Sequence, residues 1–99
     1  MSDTPFALPP FEAAGALVGL KRQLRDLRPL AERGAGFELR GKRVLEFELA
    51  AQAIVLRVAK RPALTPEWDR LELKNAADVR KGVDEVKKRL ARWTEEERS

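Results

Sequence analysis

The chain has 99 residues, of which 43% are hydrophobic and 36% are charged, with a formal net charge of +4. This length supports one small domain with its own core, and the hydrophobic share is too high for a disordered chain. The sequence contains no Cys, His or Tyr. Disulfide frameworks, thiolate and His-based catalysis, and zinc sites built from Cys or His are therefore excluded. We predict a non-enzyme without a metal or cofactor.

The first ten residues contain three prolines, which disfavour a helix and remove backbone donors. They predict an extended arm over residues 1–10, followed by a single domain over residues 11–99. The arm and its junction are too apolar for a purely solvated tail. We expect three residues there to dock on the domain or on a partner, namely Phe6, Leu8 and Phe11.

Leucines at spacings of three and four residues predict a helix that begins near Glu12 and buries one face. Pro29 cannot donate a hydrogen bond, so the helix should kink or stop near Leu27, with a last turn reaching Arg33. Gly34 and Gly36 should then end it.

Alternation of apolar and polar residues predicts three strands after the helix, over residues 37–40, 44–49 and 54–59. A tight turn at Gly41-Lys42 and a second turn at residues 50–52 would connect them as an antiparallel meander. The pattern places Leu45, Phe47 and Leu49 on the buried face of the second strand.

Residues 65–73 carry two conflicting signals. Thr65-Pro66-Glu67 is typical of a helix start, whereas Leu71 and Leu73 alternate with charged residues as in a strand. A short fourth strand at Trp68–Leu73 is favoured, and the helical alternative stays open.

The last helix is predicted from Asn75 to Glu96, with Asn75 as its N-cap and Asp78 near the positive end of the helix dipole. A narrow seam recurs at helical spacing, formed by Val79, Val83, Val86, Leu90 and Trp93. Gly82 lies beside this seam. It indicates either a close approach of another element or a tolerated glycine. The predicted fold is α+β: a two-layer sandwich of an antiparallel three- or four-stranded meander with an N-terminal and a C-terminal helix.

Glu46 and Glu48 share one strand face and form the only carboxylate pair that suggests a hard cation or acid–base chemistry. The favoured interpretation is a solvated strand face, on which Arg40, Arg43 or Arg57 balance the charge.

The positive surplus lies in the middle of the chain, where a meander can bring one hairpin turn close to the end of the third strand. These residues give a nucleic-acid hypothesis, although aromatic side chains do not interleave with them. The candidate nucleic-acid residues are Arg40, Lys42, Arg43, Arg57, Lys60 and Arg61.

The leading hypothesis is a small non-catalytic protein that binds either another protein or a second copy of itself as a homodimer. Its basis is the poor catalytic inventory, the apolar arm, the two apolar helix seams and the edge that a short open sheet presents. No apolar run is long enough to span a membrane, and residues 1–10 lack a signal-peptide pattern. We therefore expect a cytoplasmic protein with no membrane partner.

Overall fold

Two helices flank a five-stranded antiparallel sheet in this computed structural model, which describes residues 11–98. The strands lie in the order β1-β2-β3-β4-β5. The elements are α1 (Ala13–Arg25), β1 (Leu30–Arg33), β2 (Gly36–Leu39), β3 (Lys42–Ala50), β4 (Ala53–Ala59), β5 (Trp68–Leu73) and α2 (Ala76–Arg98). The predicted α+β class with a helix at each end is confirmed. The sheet has five strands rather than three or four.

The additional strand is β1, which the sequence analysis assigned wrongly to a last helical turn reaching Arg33. The helix ends earlier, at Arg25, and β1 pairs with β2 from Leu30 opposite Leu39 to Arg33 opposite Gly36. Pro29 removes the donor that would continue the helix, and the turn at Gly34, with φ of +56°, folds β1 back onto β2. Sheet pairing thus overrides the local helix propensity of β1.

Both helices pack on one face of the sheet, here called the helix face, and the core lies between the two layers. On the helices, Leu20, Leu24 and Val86 are each 0% exposed. On the sheet, the rings of Phe37 and Phe47 meet edge to face with centroids 5.9 Å apart. The two-layer arrangement therefore follows from burying one stripe of each helix against one face of the sheet.

A β-bulge interrupts the pairing of β2 with β3. Phe37 lies opposite Leu45 whereas Glu38 lies opposite Arg43, so Val44 is the extra residue. Consequently both Val44 and Leu45 are buried at 0% exposure. The expected alternation also fails at the far end of β3, where Leu49 is 49% exposed instead of buried.

The β2–β3 hairpin turns at Arg40-Gly41, one residue earlier than the predicted Gly41-Lys42. Arg40 has φ of +53° and Gly41 has φ of +84°, so both central residues are left-handed. That combination is the type I′ turn, whose twist matches that of the two flanking strands.

The predicted start and seam of the C-terminal helix are confirmed. The side-chain Oδ1 of Asn75 accepts a hydrogen bond from the backbone N–H of Asp78 at 2.8 Å. In return, Asp78 Oδ2 accepts from the N–H of Lys74 at 3.0 Å. The two bonds satisfy donors at the helix start. The seam residues Val83, Val86, Leu90 and Trp93 are buried.

Helix α2 approaches the sheet closely at Gly82, as one of the two interpretations of this glycine predicted. A methyl group built at this position would lie 3.3 Å from Leu73 Cδ2 and 3.5 Å from Leu56 Cδ2. The glycine therefore lets α2 lie close to β4 and β5.

Candidate functional site

The six predicted nucleic-acid residues lie near one end of the sheet, and Arg43, Arg57 and Lys60 contact carboxylates. Arg43 Nε lies 3.2 Å from Glu46 Oε2, and Arg57 Nη2 lies 3.2 Å from Glu48 Oε1. Both arginines lie on the face of the sheet opposite the helices, here called the outer face. These contacts confirm that Glu46 and Glu48 belong to a strand face balanced by arginines.

Lys60 forms its ion pair on the other face. Lys60 Nζ contacts Asp69 Oδ1 at 2.6 Å, and Asp69 belongs to the helix face. Arg40 lies in the type I′ turn, and Lys42 and Arg61 are exposed. The six cations are thus divided between the two faces and the turn, and nucleic-acid binding stays a prediction.

The structure describes one of the three predicted interaction residues. Phe6 and Leu8 lie outside the described residues. Phe11 is partly buried and packs against the core cluster beside α1. Of the three predicted interaction residues, Phe11 therefore contributes to the domain itself.

The outer face carries ion pairs of both signs among residues 11–98. Besides the two pairs of β3, Arg70 Nη1 lies 3.1 Å from Glu72 Oε2 on β5. Lys74 Nζ lies 3.6 Å from the other oxygen of Glu72. Val55, which lies between Glu48 and Glu72 in register, is only 2% exposed. A face of this kind is suited to contact with water.

The edge of the sheet formed by β5 differs from the outer face, because backbone N–H and C=O groups point outward along it. The sheet ends at β5, so among residues 11–98 no strand lies beyond it. The Lys60 N–H donates to the Glu67 carbonyl at 2.8 Å, which continues the β4–β5 ladder and fixes its phase. Hydrogen-bonded and non-hydrogen-bonded pairs alternate in such a ladder. Asp69, Leu71 and Leu73 therefore bond to β4, whereas three residues direct their N–H and C=O groups outward: Trp68, Arg70 and Glu72.

An open groove of about 520 Å³ runs beside this edge, between β5 and α2. Leu71 is half-buried in it, and Leu73 and Gly82 lie deeper. Its α2 side carries the charged residues Asp78, Lys81, Glu85 and Arg89. We call the outward backbone of β5 together with this groove the β5 edge site.

A network of four charged side chains holds β5 to α2. Arg89, whose side chain is 15% exposed, lies 2.9 Å from Asp69 and 2.7 Å from Glu85. It also donates to the Ala59 carbonyl at 3.1 Å. Lys60 completes the network through Asp69. Strand and helix therefore present a rigid edge.

These contacts change the acidity of the carboxyl groups. Hydrogen bonds from Lys60 and then Arg89 lower the pKa of Asp69 below its ordinary value. The hydrogen bond from Arg89 likewise lowers the pKa of Glu85. Burial alone would lower the pKa of Arg89, but its hydrogen bonds to Glu85 and Asp69 outweigh burial and raise it. The network is thus ionised at neutral pH.

A second cleft, of about 620 Å³, lies between the β4–β5 loop and the end of α2. Its lining includes Arg61 and Arg92 as well as Glu67 and Glu96. The mixture of signs gives no preference for an anion or a cation. Trp93, which also lines this cleft, is only 2% exposed.

Comparisons with protein-family models, curated proteins and solved structures return no match for this chain. Within residues 11–98, no group of three or more His, Cys, Asp or Glu side chains is placed to hold a metal ion. No helix in the described part of the chain combines the length and apolar character needed to cross a bilayer.

The sequence predicts that an open sheet leaves an edge, but it does not predict that the site lies at β5. The signal was the alternation over Trp68–Leu73, which follows the meander directly and makes this segment its last strand. Arg89 was also missed as a strand contact. Its spacing from Glu85 predicts a solvent-exposed helix pair, whereas in the structure it also contacts β4 and β5.

Proposed function

We propose that this protein is a small, non-catalytic interaction protein that binds a polypeptide strand through the β5 edge site. The strand belongs either to another protein or to a second copy of the chain. The observation that carries the proposal is the outward-directed backbone of Trp68, Arg70 and Glu72. Adding a strand to an exposed edge supplies main-chain hydrogen bonds, and adjacent pockets then select the side chains.

The groove supports the same conclusion from packing. Leu71 is only half-buried, and it lies where a side chain of an added strand would meet the helix face of β5. Covering it adds apolar burial to the backbone bonds, at about 25 cal/mol per Å² of apolar surface removed from water. The rigid attachment of β5 through Arg89 limits the ordering cost of binding.

Edge strands are commonly protected against unwanted pairing by charged side chains. Arg70 and Glu72 project such charges from the outer face of β5, but their intrachain pair carries both signs. A strand with the opposite order of charges is accepted, and a strand with like charges is rejected. The charges therefore give selectivity rather than closing the edge.

The test is the substitution Arg70→Pro. The Arg70 N–H points away from β4, so proline removes an outward donor without breaking a bond inside the sheet. Arg70→Ala is the matched control, since it removes the same side chain and keeps the N–H group. The melting temperatures of both variants are expected to lie close to each other.

Association is measured by light scattering of the purified chain and by affinity capture from an extract of its native host. The proposal predicts a complex, with itself or with another protein, that Arg70→Pro weakens much more than Arg70→Ala. A wild-type chain that stays monomeric and captures nothing above the Arg70→Pro background would overturn it.

A further inference from the structure

We infer that the strand bound at the β5 edge site is β5 of a second copy of this chain, antiparallel and with Leu71 opposite Leu71. This inference rests on the proposed function and specifies its occupant. The two sheets would join across a twofold axis at Leu71 into one ten-stranded sheet, with both α2 helices on the same side.

The hydrogen-bonding phase of β5 restricts the possible registers. Only Trp68, Arg70 and Glu72 direct their backbone groups outward, and outward residues of one copy must face outward residues of the other. A twofold antiparallel pairing that meets this condition is centred on a residue, and the centre is Trp68, Asp69, Arg70, Leu71 or Glu72.

A centre at Trp68 brings only one pair of outward residues together and gives two backbone hydrogen bonds. Charge then selects one register from the other four. A centre at Asp69, Arg70 or Glu72 places that residue opposite its own copy, so like charges meet directly. A centre at Leu71 instead places Arg70 of each copy opposite Glu72 of the other. It forms two Arg–Glu cross-strand pairs on the outer face and four backbone hydrogen bonds.

In the same register, the side chains on the helix faces of the two copies also fit each other. Leu71 opposite Leu71 is a non-hydrogen-bonded pair, in which the Cα atoms approach to about 4.5 Å and the side chains are closest. Each leucine covers the other at the mouth of the two grooves. The half-buried apolar side chain of β5 thus lies at the symmetry axis, where it gains most from pairing.

Self-complementarity favours a second copy over an unrelated strand. The intrachain pair between Arg70 and Glu72 spans 3.1 Å on one strand. Both partners of the intermolecular pair are therefore already present on the same face of the same edge. A short strand and one groove form a small interface, so we expect a dissociation constant in about the micromolar range.

The test exchanges these two charges. Arg70→Glu places two glutamates opposite each other twice, and Glu72→Arg does the same with arginines. Each single variant is expected to dimerise at least about tenfold more weakly than the wild type. An equimolar mixture of the two variants is expected to form a heterodimer, because every cross-strand pair is then Arg opposite Glu. The double variant Arg70→Glu/Glu72→Arg is expected to regain the homodimer.

Sedimentation velocity measures each species, and the melting temperatures of the monomers show that the variants fold. Wild-type protein that is monomeric at all concentrations overturns the inference. So does a dimer that both single variants leave unchanged, or a mixture that fails to associate. A chain that is monomeric at full length and dimerises only after deletion of residues 1–10 would indicate that the arm occupies the β5 edge site. That result would also overturn the inference.

The two proposals fail differently. A monomeric wild type that captures another protein, with capture lost in Arg70→Pro, retains the proposed function and removes the second copy as its occupant. A monomer that captures nothing removes both.

Discussion

Arg89 Nη2 lies 2.9 Å from Asp69 Oδ2, and this ion pair ties the middle of α2 to the edge strand β5. The same guanidinium donates to the carbonyl of Ala59 at 3.1 Å. One side chain therefore satisfies groups on the helix, on β4 and on β5. It fixes the geometry of the edge at which we propose that binding occurs.

Arg89→Ala is expected to lower the free energy of unfolding by about 2 kcal/mol, because charged hydrogen bonds contribute more than neutral ones. The variant leaves the Asp69 carboxylate with Lys60 alone. Urea denaturation monitored by circular dichroism measures the change.

Arg92→Ala is the matched control, one turn further along α2 and exposed. It should change stability by no more than about 0.5 kcal/mol. Equal effects of the two substitutions would contradict the structural role given to Arg89.

Acid should destabilise the fold through the carboxylates whose pKa values are lowered. A hydrogen bond from Arg25 lowers the pKa of Glu32, and the hydrogen bonds of the Arg89 network lower the pKa values of Asp69 and Glu85. The folded state holds these groups ionised at a pH where the unfolded chain takes up protons. Their contribution is therefore complete above the ordinary carboxyl range and is lost as the pH falls through the lowered values.

Thermal melting between pH 7 and pH 2 measures this dependence. We expect a plateau above about pH 5 and a falling melting temperature below it. Asp69→Asn should reduce the size of the acid-induced fall. A melting temperature that is constant down to pH 2 would show that the ion pairs contribute nothing.

Gly36 and Gly19 offer a matched pair of Gly→Ala substitutions. A Cβ atom at Gly36 would lie 2.0 Å from the Leu45 carbonyl oxygen, beside the bulge. Since a backbone atom cannot move aside cheaply, Gly36→Ala should destabilise the protein by more than about 3 kcal/mol or prevent folding.

Nothing lies within 4 Å of the corresponding position at Gly19, in α1. Gly19→Ala should therefore stabilise the protein by up to about 1 kcal/mol through helix propensity. Denaturant midpoints measure both changes, and equal tolerance of the two substitutions would contradict the bulge geometry.

Gly82 tests how closely α2 approaches the sheet. Alanine there gains helix propensity but meets the ends of the Leu73 and Leu56 side chains, so Gly82→Ala should lie within about 1 kcal/mol of neutral. Gly82→Val should destabilise by about 1–3 kcal/mol through overpacking. Thermal melting distinguishes them, and equal stability of all three proteins would indicate a looser contact.

The sequence predicts the elements with strong periodicity. The seam of α2, its N-cap at Asn75 and the meander of β2 to β4 follow from spacing and capping chemistry. The strand β1 could not be predicted in the same way, because Leu30–Arg33 has four residues and good helix formers. Its conformation depends on pairing with β2, a contact between separate segments.

The β5 edge site was harder to predict from the sequence than the secondary structure. The bulge at Val44 shifts the phase of β3 and places Arg43 on the outer face, where Glu46 pairs with it. Periodicity also cannot tell which residues of an edge strand direct their N–H groups outward. In the structure, the hydrogen bond from the Lys60 N–H to the Glu67 carbonyl determines which residues those are.

Disulfide trapping of the variant Leu71→Cys tests the central claim most directly, since the chain has no cysteine of its own. Leu71 opposite Leu71 brings the two Cα atoms within the roughly 4.4–6.8 Å that a disulfide bridges. Arg70→Cys is the control, because Arg70 lies opposite Glu72 in this register. Mild oxidation should give a covalent dimer with Leu71→Cys and little with Arg70→Cys. Equal cross-linking of both variants, or none with Leu71→Cys, would contradict the account.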